Sequence, residues 1–357
     1  MRRIAVFFLL FIFSSVTCAN LPYFPLEFPR DEGAHFKNIP YSFSRLIEWW
    51  YFNGFIETTD GHKFGYDVAI FHPAINKDKI YAKPFLHIQI ADLDNKKSYG
   101  YSGEFPINYG RFSTTTLAIE LDDVFGLWRG LLSNEIVYTL EANVVDGGTA
   151  LGLNLTLEPT SSIFLINENG LMPMMDDTNS YYYSIPHLKT SGTLKINQAS
   201  YQINDAVSDS WMDHQWGDFS TEKSGWEWMS VRLKNGLVAN IFMNIEYKTK
   251  KVVGGLANII LPNGEKRFIS YKDFLVKREN YWLDPKLGIE FPMMFKFTFP
   301  TIGLYVESSA AFPEQELNGY WEGFSNVKAN YLTEMVDGFS YVELVYSRQG
   351  MRDALKV

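Results

Sequence analysis

Short runs rich in apolar, aromatic and β-branched residues recur along the chain, and turn sequences separate them at close intervals. The first strong run, Ile47–Thr58, is followed by the turn Asp60-Gly61 and a second run, His62–Phe71. Asp-Gly between two aromatic and β-branched runs predicts a hairpin. As a strand, Ile47–Thr58 puts Glu48, Trp50, Phe52, Gly54 and Ile56 on one face, and Ile47, Trp49, Tyr51, Asn53 and Phe55 on the other. Both faces are rich in apolar groups, so this strand is expected to be covered on both sides or to line a filled barrel. Further hairpins are predicted at Phe85–Asp92 with Lys97–Glu104, Ile136–Val145 with Ala150–Glu158, and Thr193–Ile196 with Tyr201–Val207. Beyond Gly217 the pattern resumes with Gly225–Leu233, Val238–Tyr247, Val252–Leu261, Lys266–Tyr271, Phe291–Phe299, Ile302–Ser308, Tyr320–Ala329 and Phe339–Tyr346. Only Val124–Ser133 reads as a helical turn. Many short strands with Gly and Asn turns predict an all-β chain in two β-rich halves.

The N-terminus departs from this pattern. Met-Arg-Arg leads into Ile4–Phe13, which has no polar residue, and small residues follow up to Ala19. That is the layout of a secretory signal peptide, with cleavage expected after Ala19. The run is shorter than the about 20 apolar residues that a membrane-spanning helix needs. Lipidation at Cys18 fits less well, because Ser15-Val16-Thr17 precedes it. The expectation is an exported protein, periplasmic or secreted, with no transmembrane segment in the mature chain and, at most, peripheral association with the envelope. Residues 20–45 carry Pro22, Pro25, Pro29 and Pro40, and are expected to form an irregular leader along the surface. The expected division is 1–19 signal peptide, 20–45 leader, 46–219 first barrel, 220–347 second barrel and 348–357 tail.

Composition narrows the function. A formal charge of −9 with scattered basic residues argues against a nucleic-acid partner. Hydrophobic residues at 46% and aromatics at 16% can fill a large core and still line a cavity for an apolar small molecule. The six histidines are scattered and no His-Glu-x-x-His occurs, so neither a metal site nor another cofactor is expected. His72 and His87 read as structural histidines.

The densest chemistry lies in Asp209–Asp218, which packs two tryptophans, a histidine and three carboxylates into ten residues. Buried polar groups at that density need partners for every atom, so the stretch is either a site or a polar corner pinning the two halves together.

Glu48-Trp49-Trp50-Tyr51, Phe64-Gly65-Tyr66, Trp211-Met212-Asp213-His214-Gln215-Trp216-Gly217, Gly225-Trp226-Glu227-Trp228, Tyr320-Trp321-Glu322-Gly323 and Tyr341-Val342-Glu343-Leu344 occur in that order. Together they resemble the AttH/carotenoid 1,2-hydratase family, from about Ile47 to Tyr346. The resemblance implies two packed lipocalin-like β-barrel domains. It leaves open whether the protein is a hydro-lyase acting on a polyene or isoprenoid, a cofactor-free cyclase or isomerase, or a binder of a large apolar ligand. For hydration, Asp213 is the expected acid and His214 the expected base, with roles exchangeable. Glu48, Trp49, Trp50, Tyr51, Tyr66, Trp211, Trp216, Trp228, Tyr320, Trp321 and Glu322 are the expected ligand wall. For binding alone, the Asp-His pair is a hydrogen-bonded plug between barrels.

Overall fold

The computed structural model describes residues 24–35, 46–76, 79–80, 83–106, 109–174, 178–217 and 223–346. The expected signal peptide and the C-terminal tail lie outside them, as do Asp218 and Phe219. The described residues form two large antiparallel sheets, each curled into a half-barrel. The first gathers the strands from Leu46 to Gly217; the second gathers those from Ser224 to Val345. Among the described residues, no helix is long and apolar enough to cross a membrane.

Alternation along each strand decides which of three apolar cores a side chain joins. Trp50, Phe52, Phe64, Tyr66, Met212 and Trp216 fill the first half-barrel. Met229, Val231, Phe295, Phe297, Trp321 and Leu344 fill the second. The third core is the seam between the sheets, where Tyr51, Ala69, Tyr182 and Trp211 from one side meet Trp226, Trp228, Tyr320, Phe324 and Tyr341 from the other. Strands buried on both faces carry near-continuous apolar runs for this reason.

Three expectations are corrected. Val124–Ser133 is not a helical turn; Phe125–Leu132 is a strand paired with Glu135–Asp146. The hairpin arm expected at Thr193–Ile196 is the end of a longer strand, Asn179–Ile196. Lastly, the leader does not stay on the surface. Residues 24–35 are described, and Asp31, Glu32, Ala34 and His35 are buried in the first half-barrel. Three polar side chains with nearby backbone amides and aromatic walls can satisfy one another inside, which proline spacing does not reveal.

Candidate active site

The strand Asp209–Gly217 lies at the centre of the first sheet, between Leu46–Glu57 and Asn179–Ile196. Its register sets Trp50 opposite His214 and Tyr51 opposite Asp213. Adjacent residues on a strand point to opposite faces, so Asp213 and His214 are separated by the sheet itself. Their partners differ accordingly, and they do not form the joint acid–base pair expected from their adjacency.

His214 faces the first half-barrel. Its Nε2 is 2.9 Å from Glu48 Oε1, and its Nδ1 is 3.3 Å from the Tyr183 hydroxyl. Burial lowers its pKa to about 4, so it is neutral at pH 7. The hydrogen-bond pattern then assigns the proton to Nε2, with Nδ1 accepting from Tyr183. Neither nitrogen is left to take a proton from water. Beside it, the leader completes a polar knot. His35 Nδ1 is 2.7 Å from Glu48 Oε1, its Nε2 is 3.2 Å from Asp31 Oδ1, and its ring stacks on Trp216 at 3.9 Å. Trp50 Nε1 donates to the Glu32 carbonyl, and the Tyr138 hydroxyl donates to the Glu32 carboxylate. Burial alone would raise Glu48, but the two histidines hold its carboxyl well below the usual range. Burial likewise opposes protonation of His35, and Glu48 and Asp31 overcome it and raise its pKa. Arg129 completes the ion cluster, its Nε 2.9 Å from Glu32 Oε2 in a contact that is not aligned as a hydrogen bond.

Asp213 faces the seam. Its carboxylate accepts from the Tyr182 hydroxyl at 2.6 Å, from Trp211 Nε1 at 2.7 Å and from the Ser184 hydroxyl. The Tyr182 oxygen in turn accepts from Trp228 Nε1 at 2.9 Å and Asn240 Nδ2 at 2.7 Å, both from the second sheet. Burial raises the Asp213 pKa to about 7, and the Ser184, Tyr182 and Trp211 hydrogen bonds oppose that rise. This is a polar pin across the interface.

A second cluster in the seam is built differently. Asp67 stands opposite Asn53, and His87 stands opposite Ala69, all on the outer face of the first sheet. Glu322 and Glu343 stand directly opposite each other on the second sheet. Asp67, His87 and Glu322 are buried in the seam, and Glu343 is half-buried beside them. The Tyr341 hydroxyl donates to Asp67 Oδ1 at 3.0 Å, and His87 Nε2 is 3.1 Å from Asp67 Oδ2. Gln89 donates to the Glu322 carbonyl at 2.6 Å, so the two sheets are locked together here.

Despite this closeness, Tyr51 Oη, Asp67 Oδ2, His87 Nε2 and Glu322 Oε2 are buried with no aligned hydrogen-bond partner. The His87–Asp67 contact is short enough for a hydrogen bond but poorly directed, and Tyr51 sits near Glu322 in the same way. Asp67 and Glu322 also approach each other, so these four atoms have close contacts only with one another and none is well aligned, which calls for a functional or solvent explanation.

Burial favours the protonated form of these acids. Burial pushes Asp67 up to about 8, with some relief from Glu322 and Tyr341. Burial, and then the neighbouring Asp67, raise Glu322 well above the carboxylate range. Burial, and then Glu322, do the same for Glu343. His87 is driven down by burial, so it is neutral. Like charges facing across a ladder would repel; protonation removes the conflict.

Two trios could offer donor atoms to a cation: His35, Glu48 and His214, and Asp67, His87 and Glu322, each within 4.8 Å. In the first, the hydrogen bonds above already orient every donor. In the second, a cation would have to displace the protons the seam favours, so neither is assigned as a metal site.

The expected site residues therefore divide three ways. Glu48, Trp50, Tyr66, His214 and Trp216 lie in the first half-barrel around the leader. Trp49, Tyr51, Trp211, Asp213, Trp228, Tyr320 and Glu322 face the seam, and Trp321 faces the second core. Sequence reading missed Asp67, His87, Tyr341, Glu343 and the leader's Asp31, Glu32 and His35. A signal was present for two of them. Asp67 follows Phe64-Gly65-Tyr66 and is a carboxylate within the otherwise apolar run Phe64–Phe71, and Glu343 sits within Tyr341-Val342-Glu343-Leu344. His87 carried no local signal.

The seam cluster, with contributions from both sheets, is best compared with relatives of the same two-sheet build. Kievitone hydratase from Fusarium solani subsp. phaseoli is 19% identical over 307 residues, covering 84% of this chain and 82% of that protein. Among solved structures, an AttH candidate from Nitrosomonas europaea matches with a TM-score of 0.73 at 22% identity, covering 92% of this chain and 99% of that one. Kievitone hydratase from Nectria haematococca matches with a TM-score of 0.68 at 18% identity, covering 84% of this chain and 89% of that one. The sequence profile described as AttH-like matches residues 20–346, nearly the whole chain, and the protein belongs to the AttH-like family.

Proposed function

We propose that the protein adds water to a carbon–carbon double bond of an apolar ligand held in the seam, without a cofactor. The observation that carries this reading is the convergence of Tyr51, Asp67, His87 and Glu322, whose facing polar atoms meet only one another and without good alignment, in a buried, aromatic-walled place. A neutral carboxylic acid in such a place can give a proton to an alkene. The new C–H bond forms as the double bond's electron pair takes the proton from Asp67 or Glu322. The resulting cation gains from ring faces of the Trp49, Tyr320 and Trp226 type, by up to about 2 kcal/mol each when desolvated. Water then attacks the cation, and neutral His87 takes the water's surplus proton, which returns to the carboxylate. The balance is alkene plus water to alcohol. A relative named kievitone hydratase supports a hydratase reading.

Binding without turnover is the second reading, favoured by the aromatic seam itself. The interior of the first half-barrel is a weaker candidate under either reading, because the leader occupies it. Export through the N-terminal run, with cleavage after Ala19, belongs to this proposal too, and a mature N-terminus at Asn20 would test it.

The test is incubation of the protein with an acyclic polyene and with kievitone in ¹⁸O-labelled water, followed by mass spectrometry. Labelled alcohol is expected, lost by about 10²–10⁴-fold in Asp67→Asn and Glu322→Gln with little change in ligand affinity. The rate should fall as pH rises through about 8, where Asp67 loses its proton. A parent protein that binds these compounds but never incorporates label is a binder, and the hydratase reading fails.

A further inference from the structure

At one end of the seam a cleft of about 790 Å³ opens between the two sheets. Its apolar lining includes Phe55, Phe324 and Phe339, whose ring centroids lie 5.6–5.8 Å apart. Its charged lining is mostly basic: Lys63, Lys96, Arg232 and Lys234 against Asp94 and Asp209. In a chain of formal charge −9, that local reversal of sign calls for an explanation.

Arg232 supplies one. It is only 3% exposed, yet its Nε–H has no hydrogen-bond partner. Its Nη2 donates to Asn53 Oδ1 at 2.8 Å, and its guanidinium lies over the Phe339 ring at 4.4 Å. The available carboxylate is a poor match. Asp209 Oδ2 is held by His187 Nδ1 at 2.8 Å, and it meets Arg232 Nη1 only at 3.4 Å. A buried guanidinium with an unused donor, paired to Asp209 only through long contacts of 3.4 Å to Oδ2 and 3.5 Å to the carbonyl oxygen, in a cleft with an apolar floor, is suited to a planar oxyanion.

The cleft is continuous with the seam cluster along three strands. Phe324 is two residues from Glu322, Phe339 two from Tyr341, and Phe55 four from Tyr51, all on the seam face. Two residues of strand span about 6.6 Å. A molecule with its anionic group on Arg232 and its apolar part along these rings points toward Asp67 and Glu322.

We propose that the cleft is the recognition site for the carboxylate of an amphipathic apolar ligand, with Arg232 as the recognising cation and the three lysines as the attracting rim. As a statement of substrate class this rests on the hydration reading; as a binding site it stands without it. The test is displacement of bound Nile red by dodecanoate and by dodecanol. Dodecanoate is expected to bind at least tenfold more tightly than dodecanol, with the preference weakening as salt rises. Arg232→Gln should abolish the preference while leaving dodecanol affinity unchanged.

If Arg232→Gln does not fold, the triple variant Lys63→Gln, Lys96→Gln, Lys234→Gln decides the matter, because all three side chains are exposed. It should reduce the preference by about threefold or more at low salt. Equal binding of acid and alcohol by the parent, no displacement by dodecanoate, or an undiminished preference in the decisive variant overturns the proposal. Asp67→Asn should keep dodecanoate affinity, so a failure of turnover there does not touch this site, and a failure here does not touch the chemistry.

Discussion

Asp213 and His214 are neighbours in sequence and strangers in the fold, and each makes its own prediction. Asp213 accepts three donors and, through Tyr182, ties to Asn240 and Trp228 across the interface. In Asp213→Asn one oxygen becomes an NH₂ group that faces hydroxyl or indole donors. The loss expected is about 1–3 kcal/mol of unfolding free energy. Asn240→Ala should cost a similar amount, and the double variant should cost less than the two losses combined, since both act on Tyr182. Strict additivity in denaturant titrations would show that no such chain of bonds crosses the seam. The adjacency of acid and base was legible in the sequence, and so was the alternation that parts them. Partners such as Tyr182 and Asn240, distant along the chain, were not.

Among the elements, the leader is the one whose role changes most between sequence and structure. Residues 24–35 bring Asp31, Glu32 and His35 against Trp50, Glu48, Tyr138 and Trp216. Removing this segment should leave a buried carboxylate, Glu48, with one histidine in place of two, and should open Trp50 and Trp216 to water. A chain lacking residues 24–35 is expected to show red-shifted tryptophan emission and a clearly lower Tm. His35→Ala alone should cost about 3 kcal/mol, the usual scale for breaking a buried ion pair. An unchanged emission maximum in the truncated chain would mean that the half-barrel closes without its leader.

At the scale of the whole molecule, the seam makes stability depend on pH. Asp67 is raised to about 8 and Asp213 to about 7. A carboxyl with a raised folded pKa binds more protons folded than unfolded, so its contribution is fully present below the unfolded value. It is lost as pH rises through the folded one. His214, lowered to about 4, works the other way: its contribution is present above the unfolded value and is lost as pH falls toward 4. Between about pH 4 and 6.5 the two carboxyls outweigh the one histidine, so stability should decline from about pH 4 upward and level off above about pH 8. Asp67→Asn should flatten this decline, and a Tm rising from pH 6 to pH 9 would show that the seam acids are ionised in the fold.

What the sequence determined by itself is the strand pattern, the two all-β halves and the family, because alternation, turn residues and ordered motifs are local properties. It also placed Tyr51, Tyr320 and Glu322 among the candidates, since carboxylates beside aromatic rings stand out in strands. Only tertiary structure decided that the half-barrels meet face to face and that Asp67, His87 and Glu322 share one buried place, with Glu343 opposite Glu322 on the same ladder. Asp67 and Glu322 are 255 positions apart. Their proximity, and the protonation it imposes, follow from packing two curled sheets together, and no local pattern encodes that.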